Sequence, residues 1–331
     1  MHIRASAPTR IDLAGGTLDI WPLYLFHENA QTLNAAISLR AHVEISPRTD
    51  GRIRLESIDT ACSVEASSWR DLQDQPQLPL LCKLARFFRA ANLTMRTLAE
   101  SPAGAGIAGS SALNVAVCGA LSRWAGADFG GETLLTIAQN VEAQVIRVPT
   151  GLQDYRPAYY GGIAAVECGP QGVRRVAIDV DPADLERRIV LAYTGAPRSS
   201  GTNNWEITKR HIDGDPGVFE CFERICHATE KVRTALSAGD WSGVAEQIGL
   251  EWTARKLLAP GVTTPEVDSL IARAASAGAR ASKICGAGGG GCLFSIADPA
   301  AVPAVKKALS EGGAHVLEYH VEQVGLTVDT L

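Results

Sequence analysis

The chain has 331 residues, 46% of them hydrophobic and 20% charged, which supports one large core or two smaller ones and argues against disorder. The formal net charge is −5 with lysine and arginine scattered, so we expect neither nucleic acid nor a membrane as a partner. None of the eight cysteines has the Cys-x-x-Cys spacing of a zinc or redox site, and no window approaches the about 20 apolar residues of a spanning helix. The N terminus also lacks an apolar signal core. These features predict a cytoplasmic protein with reduced thiols.

Short alternating runs of apolar and polar residues near the N terminus, bounded by turn formers, predict an opening sheet. Apolar spacing then predicts a helix over 78–91 and a strand over 93–101, followed by a glycine-rich loop. After the loop, Ser110 or Ser111 is expected to cap a helix that is apolar nearly all round and therefore buried. The other elements predicted for a first lobe, residues 1–186, are a helix, a turn and a strand pair over 132–146, 148–157 and 161–181.

The rest of the chain, residues 187–331, predicts a second lobe that opens with a strand over 188–195. One helix is well marked at both ends, because Thr264 is placed to cap it, Pro265 fits its first position and Gly278 ends it. The other predicted elements are helices over 218–236, 243–258 and 303–310, two strands around a glycine loop within 281–297, and a last strand over 315–321.

The strongest chemical signal is the small-residue loop over 102–112, because such a loop can curl around phosphate groups that face a helix N terminus. Gly104 to Gly109 also fits the G-x-G-x-x-G fingerprint of a Rossmann oxidoreductase. That alternative is disfavoured because the loop lies a third of the way along the chain and because Asp128 does not end a second parallel strand. The P-loop is excluded, since GK[ST] occurs nowhere. A turn that serves only helix packing is the remaining alternative.

Three segments in the expected order resemble the motifs of the galactokinase, homoserine kinase, mevalonate kinase and phosphomevalonate kinase (GHMP kinase) superfamily. The glycine loop with its two serines is similar to the second motif, Ala7–Asp19 to the first, and Lys283–Cys292 to the third. The resemblance implies an α+β fold of two lobes, an N-terminal lobe like the second domain of ribosomal protein S5 and a C-terminal ferredoxin-like lobe, with the site in the cleft. It also implies ATP and Mg²⁺ as cofactors.

The resemblance assigns roles residue by residue. Asp154 matches the catalytic aspartate that accepts the acceptor proton or orients the hydroxyl. Arg10 matches the basic residue that stabilises the transferred phosphoryl group or lowers the pKa of the acceptor hydroxyl. Ser110 and Glu142 match the magnesium ligands, and few protein ligands suit that ion. The ATP-binding residues that the resemblance implies are Pro102, Gly104, Ala105, Gly106, Ile107, Ala108, Gly109, Ser110 and Ser111.

Within the superfamily, the sequence is similar to kinases that phosphorylate the anomeric hydroxyl of D-glycero-D-manno-heptose 7-phosphate. The similarity lies near the start, at Gln153-Asp154 and over 193–199 and 286–291, whereas segments 18–22 and 155–157 depart from that group beside the expected pocket. Asp19 matches the carboxylate that sugar kinases use on substrate hydroxyls, and Arg156 and Arg198 are predicted to bind a phosphate on the acceptor. The predicted acceptor-binding residues are Gly16, Thr17, Asp19, Arg156, Arg198, Gly288 and Gly289.

Three alternative functions stay open at this point. The acceptor could be a free sugar such as fucose, galactose or a uronic acid, or a mevalonate-like alcohol. A sugar sensor of the same fold would bind ligand without turnover, but such a protein is expected to lack a catalytic residue, and Arg10, Glu142 and Asp154 are all present. The dehydrogenase alternative would require nicotinamide binding in place of ATP binding.

Overall fold

The computed structural model describes residues 1–72, 76–197 and 200–331. It is an α+β structure, as predicted, with helices packed on two sheets. The strands are β1 (Ile3–Ala14), β2 (Gln31–Pro47), β3 (Ile53–Ser57), β4 (Cys62–Ala66), β5 (Leu93–Ala99), β6 (Ile163–Gly169), β7 (Gly172–Ala177), β8 (Ile189–Tyr193), β9 (Ala279–Ile284), β10 (Cys292–Ala297), β11 (His315–Leu317) and β12 (Thr327–Thr330).

The helices pack against these sheets. They are α1 (Pro79–Phe87), α2 (Gly109–Trp124), α3 (Gly131–Ile146), α4 (Tyr155–Tyr160), α5 (Pro182–Glu186), α6 (Ser200–Ile212), α7 (Pro216–Ala238), α8 (Trp241–Arg255), α9 (Pro265–Ser276) and α10 (Val302–Glu311). Within the described ranges, no helix is long and apolar enough to cross a membrane.

The first sheet contains the strand of the first motif and has the order β12-β1-β2-β5-β3-β4, with β6 and β7 continuing from β2. The first residues of β1 alternate between buried and more exposed positions, whereas all residues from Ala7 to Ala14 are buried. The strand therefore carries Arg10 and Asp12 into the interior, where a charged group needs hydrogen-bonding or charged partners.

Helix α2 begins at the glycine loop and is buried on nearly all sides, as predicted. The predicted serine cap is wrong. The residue before the helix is Ala108, which has a left-handed φ of 64° and makes no side-chain capping bond. Ser110 and Ser111 lie inside the first turn, where both hydroxyls donate to Glu142. A carboxylate is a stronger acceptor than a neutral group, so it draws these hydroxyls away from a capping role.

The second sheet has the antiparallel order β11-β8-β10-β9. Helix α9 on this sheet begins as predicted, because Thr264 Oγ1 accepts the N–H of Val267 at 3.3 Å and Pro265 occupies the first turn. Helix α8 contacts both β1 and β9. This helix therefore connects the two sheets beside the glycine-rich motifs.

The end of the chain departs from the sequence prediction. The strand expected over 315–321 is confined to β11, and the chain then returns to the first sheet. There β12 pairs antiparallel with β1, from Ile3 opposite Thr330 to Ser6 opposite Thr327. The last residues thus lie outside the second lobe to which the sequence assigned them, while the division near residues 186 and 187 stays a prediction.

Candidate active site

A cleft of about 350 Å³ lies where the glycine loop, the first-motif turn and the turn before α4 meet. The predicted site residues that line this cleft are Arg10, Thr17, Asp19, Pro102, Gly104, Ala105, Gly106, Ala108, Gly109, Ser110, Glu142 and Asp154. Gly286 and Ala287 of the third motif contribute to another part of the wall. Segments that lie far apart in sequence therefore form one pocket.

The glycine loop follows a path that small residues allow. Gly104 and Gly106 have φ values of 68° and 76°, a region in which a Cβ costs energy. Ala108 has a similar left-handed conformation directly before α2. The first backbone N–H groups of a helix have no partner within the helix, and Gly109 and Ser110 of this turn line the cleft. The loop and the helix start therefore form a cradle suited to an anion.

The third motif supports this loop from behind. The carbonyl oxygen of Ala105 accepts the N–H of Cys292 at 2.6 Å. Gly291, with a φ of 83°, approaches so closely that a Cβ there would lie 2.7 Å from the same oxygen. A glycine is thus required at this point for both its conformation and its small size.

Arg10 lies at the floor of the cleft, 1% exposed. Its Nε donates to Asp154 Oδ1 at 3.0 Å and its Nη1 donates to the carbonyl oxygen of Gly106 at 2.8 Å. The backbone N–H of Arg10 also donates to the carbonyl of Ile107. A guanidinium stays charged, so Arg10 places a permanent cation between the glycine loop and a carboxylate that keeps 22% side-chain exposure.

Glu142 on α3 accepts hydrogen bonds from three hydroxyl groups. Ser110 Oγ donates at 2.8 Å, Ser111 Oγ at 3.0 Å and the Tyr155 hydroxyl at 2.8 Å. Burial raises the pKa of Glu142, an effect that the three hydroxyl donors partly oppose. The Ser110 hydroxyl and this carboxylate both line the cleft, so oxygen ligands of the kind that a hard cation prefers stand beside the anion cradle.

Asp19 is buried next to the turn that precedes α4. Its Oδ2 accepts the N–H groups of Leu152 at 2.5 Å and Gln153 at 2.8 Å. Burial raises the pKa of Asp19 to about 6, and the negative charge of Asp154 adds to this rise, while the backbone donors oppose it. Asp19 therefore both lines the cleft and holds the turn from which Asp154 projects.

Five predicted residues do not line this cleft, namely Gly16, Ile107, Ser111, Gly288 and Gly289. Gly288 has a φ of 85°, and a Cβ there would overlap the carbonyl oxygen of Val262. The N–H of Gly289 donates to that oxygen at 2.9 Å. Both glycines thus serve the packing of the third-motif loop. Arg198 lies outside the described residues.

Arg156 lies beside a second cavity of about 620 Å³, which shares Thr150 with the cleft. The side chain is buried, with Nη1 donating to the carbonyl of Leu152 at 3.1 Å and Nη2 donating to Glu132 at 2.7 Å. Its charge is therefore already paired, and it does not line the cleft that contains Arg10. Binding of an acceptor phosphate by Arg156 stays a prediction.

Two carboxamides in the cleft wall, Gln153 and Asn204, were missed as site residues in the sequence. Their side-chain oxygens are buried and have no hydrogen-bond partner among the described residues. Buried polar atoms normally have partners, so a ligand or water is expected to satisfy them. Gln153 could have been found from its place beside Asp154, whereas Asn204 lies on α6, which carries no recognised motif.

Phosphoryl transfer from a nucleotide to an alcohol requires an anion cradle, a fixed cation beside a carboxylate, and oxygen ligands for a hard cation. The cleft has all three.

Comparisons with known proteins agree with this class of reaction. The family model for the GHMP kinases N terminal domain matches residues 79–162, and that for GHMP kinases C terminal matches residues 232–315. Together the two models match about half of the chain, and the chain belongs to the GHMP kinases.

Full-length relatives support the same assignment. D-glycero-alpha-D-manno-heptose 7-phosphate kinase of Campylobacter jejuni is 28% identical over 338 residues, covering 98% of each chain. Mevalonate kinase of Thermococcus sibiricus is 25% identical over 348 residues, covering 100% of this chain and 99% of the relative. The crystal structure of a D-glycero-D-manno-heptose 1-phosphate kinase from Bacteroides thetaiotaomicron superposes with a TM-score of 0.81 at 23% identity, covering 99% of both.

The predicted family, the two-lobed α+β fold and the phosphotransferase class are thus confirmed, with ATP as the phosphate donor of the family. The dehydrogenase alternative is excluded by the same matches.

Proposed function

We propose that this kinase transfers the γ-phosphoryl group of ATP to the anomeric hydroxyl of D-glycero-D-manno-heptose 7-phosphate. The observation that carries the chemistry is the Arg10–Asp154 pair beside the glycine loop. The acceptor is inferred from the Campylobacter jejuni relative, which aligns over 98% of both chains.

In the proposed reaction, Asp154 accepts the proton of the acceptor hydroxyl as the hydroxyl oxygen bonds to the γ-phosphorus. The bond between that phosphorus and the bridging oxygen breaks, and ADP leaves. Arg10 engages Oδ1 of Asp154, so we assign Oδ2 to the hydroxyl. The buried guanidinium also offsets the negative charge that develops on the transferred group.

Magnesium fits the same cleft. Ser110 and Glu142 would hold it, since their oxygens lie 2.8 Å apart and both residues line the cleft. In the described parts of the chain, no cluster of three or more His, Cys, Asp or Glu residues could hold a metal. Phosphate oxygens and water would complete the shell, as magnesium prefers, and the ion would neutralise phosphate charge when bound.

We assign recognition of acceptor hydroxyls to Thr17, Asp19, Gln153 and Asn204. All four line the cleft, and the carboxamide oxygens of Gln153 and Asn204 have no hydrogen-bond donor among the described residues. A hydroxyl of the acceptor can donate to such a buried oxygen, and a site built to bond a hydroxyl discriminates strongly against molecules that lack it. This arrangement favours a polyhydroxylated acceptor over a mevalonate-like alcohol.

The first test is ADP release from Mg-ATP with a panel of sugars and sugar phosphates, using wild type and Asp154→Asn. We expect turnover of D-glycero-D-manno-heptose 7-phosphate and a fall in kcat of about 10²- to 10⁴-fold in the variant, because a positioned base contributes about that much. The matched control is Asp240→Asn at the start of α8, where asparagine caps a helix as well as aspartate does.

Each result of this assay has a definite meaning. Turnover of only an unphosphorylated sugar would retain the kinase and overturn the heptose 7-phosphate assignment. Full activity of Asp154→Asn would remove Asp154 from its catalytic role. ATP binding without turnover of any panel member would favour the sensor alternative.

A further inference from the structure

Four charged side chains form a buried cluster where the two sheets meet, and none of them lines the cleft. Asp12 on β1, Glu251 and Arg255 on α8, and Lys283 on β9 are each at most 1% exposed. Lys283 Nζ lies 3.1 Å from Glu251 and 3.5 Å from Asp12. Arg255 Nε lies 3.0 Å from Glu251, and its Nη2 lies 3.6 Å from Asp12. We call these four residues the buried tetrad.

The buried tetrad has two positive and two negative charges, but burial of charged groups stabilises a core no more than apolar packing does. Each of its ions loses hydration, and apolar side chains of similar volume are often as stable as a buried ion pair or more so. Packing alone therefore does not account for four charged groups at this place. The bonds that the tetrad makes to surrounding backbone give a better account.

Two of these bonds reach the loops that border the cleft. Glu251 Oε1 accepts the N–H of Gly15 at 3.2 Å, in the turn that leads to Thr17. Arg255 Nη1 donates to the carbonyl of Gly286 at 2.8 Å. Thr17 and Gly286 both line the cleft. Two side chains on α8 thus hold two loops that line the cleft. The first-motif turn follows β1 of the first sheet, and the third-motif loop follows β9 of the second sheet.

The first-motif turn also rests directly on the tetrad at Gly16. A Cβ at Gly16 would overlap both Asp12 Oδ2 and Arg255 Nη2. Because the turn packs directly against the guanidinium, we expect a change at Arg255 to alter the position of the turn.

We propose that Glu251 and Arg255 are positioning residues that fix the first-motif turn and the third-motif loop relative to each other across the two sheets. Neither residue lines the cleft. The nucleotide cradle has other supports, because Arg10 donates to Gly106 and Cys292 donates to Ala105, and Cys292 is itself fixed in β10 by its pairing with Tyr193 of β8. Variants that loosen the tetrad are therefore expected to lower kcat/KM for the acceptor much more than they raise KM for ATP.

Two variants separate positioning from stability. Arg255→Lys keeps the charge but loses the planar fork that reaches both Glu251 and Gly286. The double variant Arg255→Met with Glu251→Leu removes both outward bonds while Asp12 and Lys283 remain as a balanced pair. The double variant is expected to unfold at a temperature closer to that of the wild type than Arg255→Lys does.

The matched control is Arg210→Lys. Arg210 also joins a carboxylate, Asp215, to a backbone carbonyl, that of Leu258, but none of these three residues lines the cleft. Arg210 lies on α6, about 9 Å along the helix from Asn204, so the control loses the same kind of fork at residues that do not touch the cleft.

The kinetic test rests on the proposed function and measures kcat and KM for D-glycero-D-manno-heptose 7-phosphate and for ATP, below the unfolding temperature of every variant. We expect kcat/KM for the phosphosugar to fall about 10- to 100-fold in Arg255→Lys and in the double variant, since a displacement of about 1 Å has effects of this size. KM for ATP should change less than about threefold, and Arg210→Lys should resemble the wild type. A double variant that regains both its unfolding temperature and its kcat/KM would overturn the proposal.

Amide hydrogen exchange tests the same proposal without an acceptor. Exchange over 11–20 and 284–289 should be faster in both tetrad variants than in the wild type, with no change over the β3–β4 hairpin. If the wild type does not use the phosphosugar but these two segments exchange faster, the acceptor assignment fails and the tetrad proposal stands. Unchanged exchange in both segments would overturn the tetrad proposal itself.

Discussion

Two buried aspartates near the cleft, Asp12 and Asp19, have pKa values that move in opposite directions. For Asp12, burial favours the neutral form, but Lys283, Arg255 and Arg10 outweigh it and hold the pKa below its ordinary value. Asp19 is bonded chiefly to backbone N–H groups, and burial raises its pKa to about 6. The charged form of Asp12 therefore stabilises the fold, whereas the charged form of Asp19 destabilises it.

The pH dependence of stability at Asp19 follows from this difference. The unfolded carboxyl loses its proton near its ordinary pKa of 3.8, and the folded one near 6, so stability falls as the pH rises between these values. Well above pH 6 the cost levels off at about 3 kcal/mol, from about two pKa units. Asp19→Asn keeps an oxygen for the Leu152 and Gln153 N–H groups and removes that cost.

We predict that Asp19→Asn unfolds about 5 °C or more above the wild type at pH 7.5, with a smaller difference at pH 5, by thermal unfolding at both values. Asp12→Asn is the control of opposite sign, because its carboxylate contributes stability above its unfolded pKa and loses it as the pH falls. This variant should unfold below the wild type at pH 7.5. An Asp19→Asn difference that is equal at both pH values would show that Asp19 does not titrate in this range.

Among the elements of the site, the contact between the third-motif loop and the glycine loop depends on the small size of Gly291. Its φ of 83° and the distance of only 2.7 Å that a Cβ would have to the Ala105 oxygen give a substitution two separate costs. Gly239, at the end of α7, has a φ of 67° and no atom within 4 Å of such a Cβ. It bears the conformational cost alone.

We predict that Gly239→Ala lowers the free energy of unfolding by about 1–2 kcal/mol and leaves kinetics unchanged. Gly291→Ala should cost more and should raise KM for ATP about tenfold, because the Ala105 carbonyl must move and the nucleotide loop moves with it. Chemical denaturation and steady-state kinetics measure the two effects. Equal KM values for the two variants would show that the third motif does not support the nucleotide loop.

Some features of these elements could be predicted from the sequence. The Thr264 cap and the glycine loop before α2 depend on neighbouring residues, so local spacing was enough to find them. The serine cap failed because Ser110 and Ser111 are drawn to Glu142, more than 30 residues away. The place of Arg156 against Glu132, and the buried oxygen of Asn204, likewise depend on packing between distant segments. Local patterns carry no information on such contacts.

For the molecule as a whole, the least predictable feature is the return of β12 to the first sheet. The strand is short, three of its four residues (TVDT) are polar, and the pairing with β1 joins positions more than 320 residues apart. Val328 and Leu326 pack on the hydrophobic core between the first sheet and α2, and each lies close to Gly119 of that helix. Strand β12 therefore covers the edge of β1, and Arg10 lies further along the same strand.

We predict that deletion of residues 327–331 lowers the unfolding temperature and promotes self-association, because it exposes the edge of β1 and uncovers α2. Val328→Ser should have a smaller effect of the same sign, and Val324→Ser, at an exposed valine, should have none. Thermal unfolding and size-exclusion chromatography measure these effects. An unchanged unfolding temperature after the deletion would show that β12 does not pair with β1 in solution.

The deletion should nevertheless spare catalysis below its unfolding temperature. Gly119, under β12, is ten residues and therefore about 15 Å along α2 from Gly109 at the anion cradle. On β1, the pairing with β12 ends at Ser6, before the strand reaches Arg10. We expect kcat/KM to stay within about threefold of the wild type, since distant sites act nearly independently. A larger loss in folded, monomeric protein would mean that strain at the end of the chain is transmitted through α2 or β1 to the cleft.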